Sequence, residues 1–237
     1  MLNPRQQHCL RGIGIPVWRE RSSASAEVEE RPEENGAGPA RENESNLAPE
    51  TPPSLDSWEP MIESIHACNA CELAQNCTQK VPGVGDRQAD LLIVGEGPGH
   101  DEDIRGEPFV GRSGQLLDRM LAAIGIAREQ VYITNIVKCR PPNNRDPKHE
   151  EAYCCRTFLE AQIRLIAPKV ILSVGRVSAH NLLDSNQPVG KLIKRMHQLP
   201  GTDIPVKVTY HPAYLLRNPS AKAIAWQDLK LLRQLLQ

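Results

Sequence analysis

The chain has 237 residues and a formal net charge of −1, with 28 Lys and Arg set against 29 Asp and Glu. That balance excludes a uniformly basic protein that coats DNA, while leaving room for a local basic face. Hydrophobic residues make up 40% and mean hydropathy is −0.44, which predicts one domain of about 150–200 residues plus some non-globular chain.

In chain order, residues 1–21 place Leu2, Leu10, Ile13, Ile15, Val17 and Trp18 among Arg and Gln, the pattern of a short docking peptide. Residues 22–57 hold only Val28, Leu47 and Leu55 as large aliphatics. That stretch buries too little apolar surface to offset its ordering entropy, so residues 1–57 are expected to form a disordered leader. Arg5, Gln6, Gln7 and His8 stand where a secretory signal would carry its apolar stretch. The apolar runs, such as Leu91-Leu92-Ile93-Val94, fall far short of the roughly 18 residues that span a bilayer. A cytoplasmic location, in the cytosol or nucleoid, is expected. The charge is unevenly divided, with a net −4 over residues 1–57 and +3 over residues 58–237.

After Trp58 the pattern becomes regular. Residues 89–94 read as a buried strand running into Gly95-Glu96-Gly97-Pro98-Gly99. Leu116, Leu117, Met120, Leu121 and Ile124 recur at helical spacing, with Ser113 as N-cap and Gly125 as the stop. Residues 131–137 form a second strand rich in β-branched residues, and residues 147–166 a helix that starts at a proline. Residues 170–174 and 205–210 read as further strands, with a helix to about Leu183 between them and a last helix from about Ala221. This alternation predicts an α/β fold with a central, mostly parallel four-stranded sheet flanked by helices over residues 58–237. In such sheets ligands bind beyond the carboxyl ends of the strands. The glycine-rich loop, Thr134-Asn135 and His211-Pro212 all fall there, so one rim gathers the unusual chemistry.

Seven cysteines in a cytoplasmic chain need a purpose other than disulfides. Cys68 and Cys71 form a C-x2-C pair, and Cys139 and Cys155 complete four thiolates, the complement for zinc or for an iron–sulfur cluster. Spacing alone does not separate the two metals. Cys9, Cys77 and Cys154 fit the plainer role of small hydrophobes. The glycine loop lacks the Lys-Ser/Thr of a P-loop and the glycine spacing of a dinucleotide fold, so it is a weak nucleotide signal. Its Glu96 points instead to ordering water or opposing positive charge. Taken singly, Asn135 reads as a capped strand end, His211 as a structural histidine, and Phe109 equally as core or ligand-stacking aromatic.

The segments together are more informative. Gly95-Glu96-Gly97-Pro98-Gly99, Glu102-Asp103 and Gly106-Glu107-Pro108-Phe109-Val110-Gly111-Arg112-Ser113-Gly114-Gln115 resemble the first motif of the family-4 uracil-DNA glycosylases. Thr134-Asn135-Ile136-Val137-Lys138-Cys139-Arg140-Pro141-Pro142 resembles the second, and His211-Pro212-Ala213-Tyr214-Leu215-Leu216-Arg217 the third. The resemblance runs in order from about Cys68 to the C-terminus. It implies a 4Fe–4S cluster on Cys68, Cys71, Cys139 and Cys155, the last chosen over Cys154 because Arg156 follows it. It also implies a uracil pocket of Gly97, Glu102, Phe109 and Asn135, with Glu96 and His211 as catalytic residues. In this mapping Phe109 stacks on the base, Asn135 reads it, His211 lies near uracil O2, and Glu102 stands where the thymine methyl would be excluded.

The residue types suit that chemistry. Uracil must leave the stack before its glycosidic bond is reachable. A fixed Asn accepts from N3–H and donates to O4, a pattern that cytosine reverses. A donor at O2 stabilises charge on the departing base, and a carboxylate on the sugar side stabilises the cation or orients water. Hydrolysis to an abasic site without a Schiff base or strand cleavage is expected. A sister group that captures uracil covalently carries a basic insert after the second motif, absent from Arg140-Pro141-Pro142-Asn143-Asn144-Arg145. His149 nearby is expected to be solvated. Leu215 or Leu216 is expected to fill the gap left by the flipped base, with Arg112, Arg140 and Arg217 near phosphates. Expected partners are uracil-containing DNA, single- or double-stranded, and a replication or repair protein at residues 1–21, on a monomer that does not bind membranes. The runner-up is a non-catalytic iron–sulfur DNA-binding module of a replication or repair complex. A zinc-dependent enzyme would need an open coordination position, which four cysteines close.

Overall fold

A computed structural model describes residues 55–237. The expectations for the leader, for the docking peptide and for Cys9 lie outside the described residues.

Helices α1 (Trp58–Ala67) and α2 (Leu73–Asn76) precede the sheet. Then come β1 (Val84–Gly85), β2 (Leu91–Gly95), α3 (His100–Arg105), α4 (Arg112–Ala123) and β3 (Tyr132–Asn135). Next are α5 (His149–Ile166), β4 (Val170–Val174), α6 (Arg176–Leu182) and α7 (Val189–Leu192). The chain finishes with β5 (Met196–Gln198), β6 (Pro205–Thr209), α8 (Pro212–Arg217) and α9 (Lys222–Leu235). The sheet order is β1-β3-β2-β4-β6-β5. The four central strands are parallel, as expected, and two short antiparallel strands, β1 and β5, extend the edges.

Every residue of β2, β3 and β4 is buried, because helices cover both faces. Side chains alternate between the two layers. Leu91, Ile93, Ile133, Val170 and Leu172 pack with Leu117 and Leu121 of α4 and Leu229 and Leu232 of α9. Leu92, Val94, Tyr132 and Ile171 pack on the other side with Leu159 and Ile163 of α5. Truncating one of these core aliphatics to Ala costs roughly 2–5 kcal/mol. Among the described residues no helix is long and apolar enough to cross a membrane.

Two of the differences from the expected boundaries bear on the site. Helix α4 begins at Arg112 with Gly111 as its N-cap, so Ser113 lies inside the first turn. Strand β3 ends at Asn135 rather than at Val137. Beyond it Ile136 and Val137 donate to the carbonyls of Gly95 and Glu96, which ties the chain after β3 to the glycine loop after β2. Those two loops therefore face one another at the carboxyl rim.

Candidate active site

One cleft at this rim is lined by Glu96, Gly97, Gly99, Glu102, Phe109, Asn135, Asp146, His211, Tyr214 and Arg217, among others. Segments distant in sequence meet there as their strand positions predict.

Asn135 closes β3 directly beside Gly95 of β2 in the parallel register. It is 2% exposed, and its Oδ1 has no hydrogen-bond partner. A Cβ at Gly95 would lie 2.3 Å from that oxygen and 2.7 Å from the Phe109 ring. Only glycine permits this approach. Behind Asn135, the ammonium of Lys138 donates to the Asn135 carbonyl at 2.8 Å, to Thr134 Oγ1 at 2.7 Å and to Gln162 Oε1 at 2.8 Å. Burial pulls the Lys138 pKa down to about 8, against the attraction of Cys155.

Phe109 holds a backbone φ of 54°, a left-handed conformation that side chains rarely adopt and that marks functional loops. Glu102 holds the loop in place. Its Oε1 accepts from the Val110 and Gly111 amides at 3.0 and 3.1 Å, and its Oε2 accepts from the Gly99 amide at 3.1 Å. Arg128 adds a donation to the Pro108 carbonyl at 2.6 Å. The Phe109 ring stacks against that of His211, with centroids 5.7 Å apart and planes 29° apart.

His211 caps α8, and its Nδ1 accepts from the Ala213 amide at 3.1 Å. In the neutral ring that bond places the proton on Nε2. Burial, aided by the charge of Arg217 and opposed by Glu102, pushes its pKa down to about 4. The ring is thus a neutral donor near pH 7. Glu96 moves the other way. Burial first, then the neighbouring Asp146 carboxyl, raise its pKa to about 7, while Arg176 opposes the rise.

One expectation at the rim needs correction. Leu215 is 1% exposed and packs in the core with α4 and α9, so it cannot enter a base step. Leu216 beside it is 37% exposed and remains available. Glu102 lines the cleft, and its carboxylate accepts from three backbone amides, which makes it a clamp on the Phe109 loop as well. Gly97 also lines the cleft, where a Cβ would come within 2.8 Å of Val137. Arg112 and Arg217 are exposed at the rim, and Arg140 reaches Asn144 Oδ1 at 2.8 Å and His100 Nδ1 at 3.1 Å. His149 is exposed at the start of α5.

Behind β3 a second cavity is lined by Cys68, Cys71, Cys139, Cys154, Cys155 and Lys138. The Lys138 amide donates to Cys155 Sγ at 3.3 Å. Burial, reinforced by the other thiols, raises the thiol pKa values of Cys71, Cys139 and Cys155, the last to about 12. Cys77 packs against the apolar core on this face, as expected of a small hydrophobe, and also lies within hydrogen-bonding reach of Cys139. No group of three or more His, Cys, Asp or Glu among the described residues converges tightly enough to hold one metal ion. The thiols instead surround a shared space.

Sequence reasoning did not single out Lys138, Asp146, Arg176 or the tight packing at Gly95. Only the glycine carried a signal, as the first residue of an unusual loop.

The uracil DNA glycosylase superfamily model matches residues 82–230. The chain is 41% identical over 187 residues to the type-4 uracil-DNA glycosylase of Archaeoglobus fulgidus, covering 76% of this chain and 94% of that protein. It is 43% identical to the type-4 uracil-DNA glycosylase of Thermotoga maritima, covering 71% of this chain and 88% of the relative. The type-5 uracil-DNA glycosylase of Pyrobaculum aerophilum is 29% identical, over 58% of this chain and 67% of its own length.

Proposed function

The chain belongs to the uracil DNA glycosylase superfamily and excises uracil from DNA in repair, and from that premise we propose how its residues divide the work. Residues 58–237 form the catalytic domain, and residues 1–21 dock a replication or repair protein. The observation that carries the assignment is the buried Asn135 Oδ1 with no partner. A buried acceptor left unpaired costs about 1–3 kcal/mol, a cost relieved when a ligand donor arrives. Uracil N3–H is that donor, and the Asn135 amide donates in return to O4. Cytosine offers an acceptor at N3 and is refused.

The flipped base enters against the Phe109 ring, which Glu102 and Arg128 hold in its strained conformation. His211 directs Nε2–H to uracil O2, where negative charge grows as the glycosidic bond breaks. A neutral imidazole does this without surrendering its proton, and its low pKa keeps it neutral through physiological pH. Glu96 faces the sugar side and supports the cationic carbon or the attacking water. The product is an abasic site, with no strand scission: no lysine among the described residues lines the cleft, and the Lys138 amine behind it is held by Thr134, Asn135 and Gln162. Leu216 supports the duplex at the vacated position, and Arg112, Arg140 and Arg217 contact phosphates.

Cys68, Cys71, Cys139 and Cys155 would hold a 4Fe–4S cluster. The donor set fits that group: buried thiols disfavour their own ionisation, and iron supplies the positive charge that makes thiolates tenable. When bound, the cluster cross-links the segment after α1 to the end of the second motif and to α5.

Incubating iron-replete protein with a single-stranded oligonucleotide containing one uracil, then adding alkali, tests the reading. Cleavage at the uracil only after alkali is expected, with thymine and cytosine strands intact. An intact uracil strand, or scission before alkali, contradicts it.

A further inference from the structure

Glu96 does not face the cleft alone. Asp146, in the loop before α5, lines the same cleft and brings its carboxyl within hydrogen-bonding reach of Glu96. On its far side Asp146 pairs with Arg176, the first residue of α6, which leaves the carboxyl end of β4. Three elements thus bring Glu96 and Asp146 together in the cleft and set the Arg176 guanidinium against Asp146 from the adjoining groove. The ion pair is 55% exposed at Asp146 and 52% at Arg176, so it adds little to stability. Its consequence lies in the charge it presents to Glu96.

We propose that Asp146 and Arg176 are positioning residues that set the charge state of Glu96, and with it the pH at which uracil excision switches on. The proposal rests on the assignment of Glu96 to the sugar side of the bond. At low pH Glu96 keeps its proton and can donate it to the neighbouring Asp146 carboxyl, and a neutral Glu96 cannot stabilise a cationic sugar. As pH rises that proton leaves to solvent and Glu96 becomes charged beside Asp146, a state that Arg176 makes more tolerable through its positive charge. The raised pKa of Glu96, near 7, agrees with this.

The other charged or titratable groups around the cleft leave the arrangement standing. Glu102 is committed to three backbone amides. Arg145 is held by both oxygens of Glu151 at 2.7 and 2.8 Å. His211 is neutral over this range, and Arg217 lines the same cleft. His149 shares the adjoining groove with Asp146 and Arg176.

The experiment is the single-turnover excision rate on a uracil-containing single strand between pH 5 and 9. It compares the wild type with Asp146→Asn, Arg176→Met, Arg176→Lys and Glu96→Gln, each checked for iron content and melting temperature. Asp146→Asn removes a negative neighbour and should move the acid limb down by about half a pH unit or more. Arg176→Met leaves that neighbour unopposed and should move it up, while Arg176→Lys should restore the wild-type position. Glu96→Gln should abolish the limb. Opposite displacements by Asp146→Asn and Arg176→Met are not produced by a merely structural role. A common displacement, no displacement, or a limb that persists unmoved in Glu96→Gln overturns the proposal and leaves the glycosylase standing. A wild type that releases no uracil strikes instead at the underlying reading.

Discussion

The cleft and the thiol cavity flank the end of β3 and share the stretch from Thr134 to Cys139, yet they are built on opposite terms. In the cleft the protein supplies nearly every partner itself. Glu102 clamps the Phe109 loop, the Ala213 amide fixes the His211 tautomer, and Lys138 holds the Asn135 carbonyl. Asn135 Oδ1 is left open. In the thiol cavity the donors crowd one another, and burial and mutual repulsion both oppose their ionisation. The cleft is therefore a preorganised mould, whereas the cavity gathers buried thiols whose ionisation their surroundings oppose. Preorganised polar atoms cost the folded state little when they are braced, and they discriminate strongly. Crowded thiols make folding depend on what they hold.

That contrast predicts different failures on the two sides of one strand. Asn135→Ala should lower single-turnover uracil excision on the order of 10⁴-fold, since a site built around a hydrogen bond loses most of its recognition without it. Its melting temperature and iron content should match the wild type, and an equal loss of stability would erase the distinction. Cys155→Ala should do the reverse. Unfolding free energy should fall on the order of 5 kcal/mol, with iron lost and the visible absorbance gone, measured by denaturant titration and metal analysis. A soluble, iron-replete Cys155→Ala protein would move the fourth ligand elsewhere in the cavity. The smallest effect lies at the rim. Leu216→Ala should slow excision from duplex by a few-fold, and from single strands less, because only duplex has a stack to hold open. Parallel rate measurements on the two substrates check this, and equal slowing on both would remove Leu216 from the duplex.

How much was legible beforehand follows the same physics. Strands β2 and β4 announce themselves as apolar runs, and burial on both faces explains why they show no alternation. Strands β1 and β5, two and three residues long, carry too little pattern to read. Asn135 and His211 stand out because their motifs place unusual residues at strand ends, and Phe109 because it is one of only two phenylalanines and sits in a polar loop. The pairing of Asp146 with Arg176 joins residues 30 positions apart on two elements, which no local pattern encodes. Lys138 looks like one more basic residue until its burial is seen. Leu215 and Leu216 are chemically identical neighbours, and only the rotation of a six-residue helix decides which one faces the core. The clamping role of Glu102 is not legible, because the backbone amides it accepts from leave no trace in a sequence.

On the proposed reading the open Asn135 Oδ1 awaits one hydrogen, the N3–H of uracil. A single-stranded oligonucleotide with one 3-methyluracil, compared with its uracil counterpart, tests it most directly. The methyl group removes that hydrogen, leaves O2 and the glycosidic bond in place, and involves no base pair. Single-turnover excision of 3-methyluracil should be slower by about 10³-fold or more in the wild type, and the gap should largely close in Asn135→Ala. Comparable rates on the two bases in the wild type would contradict the account.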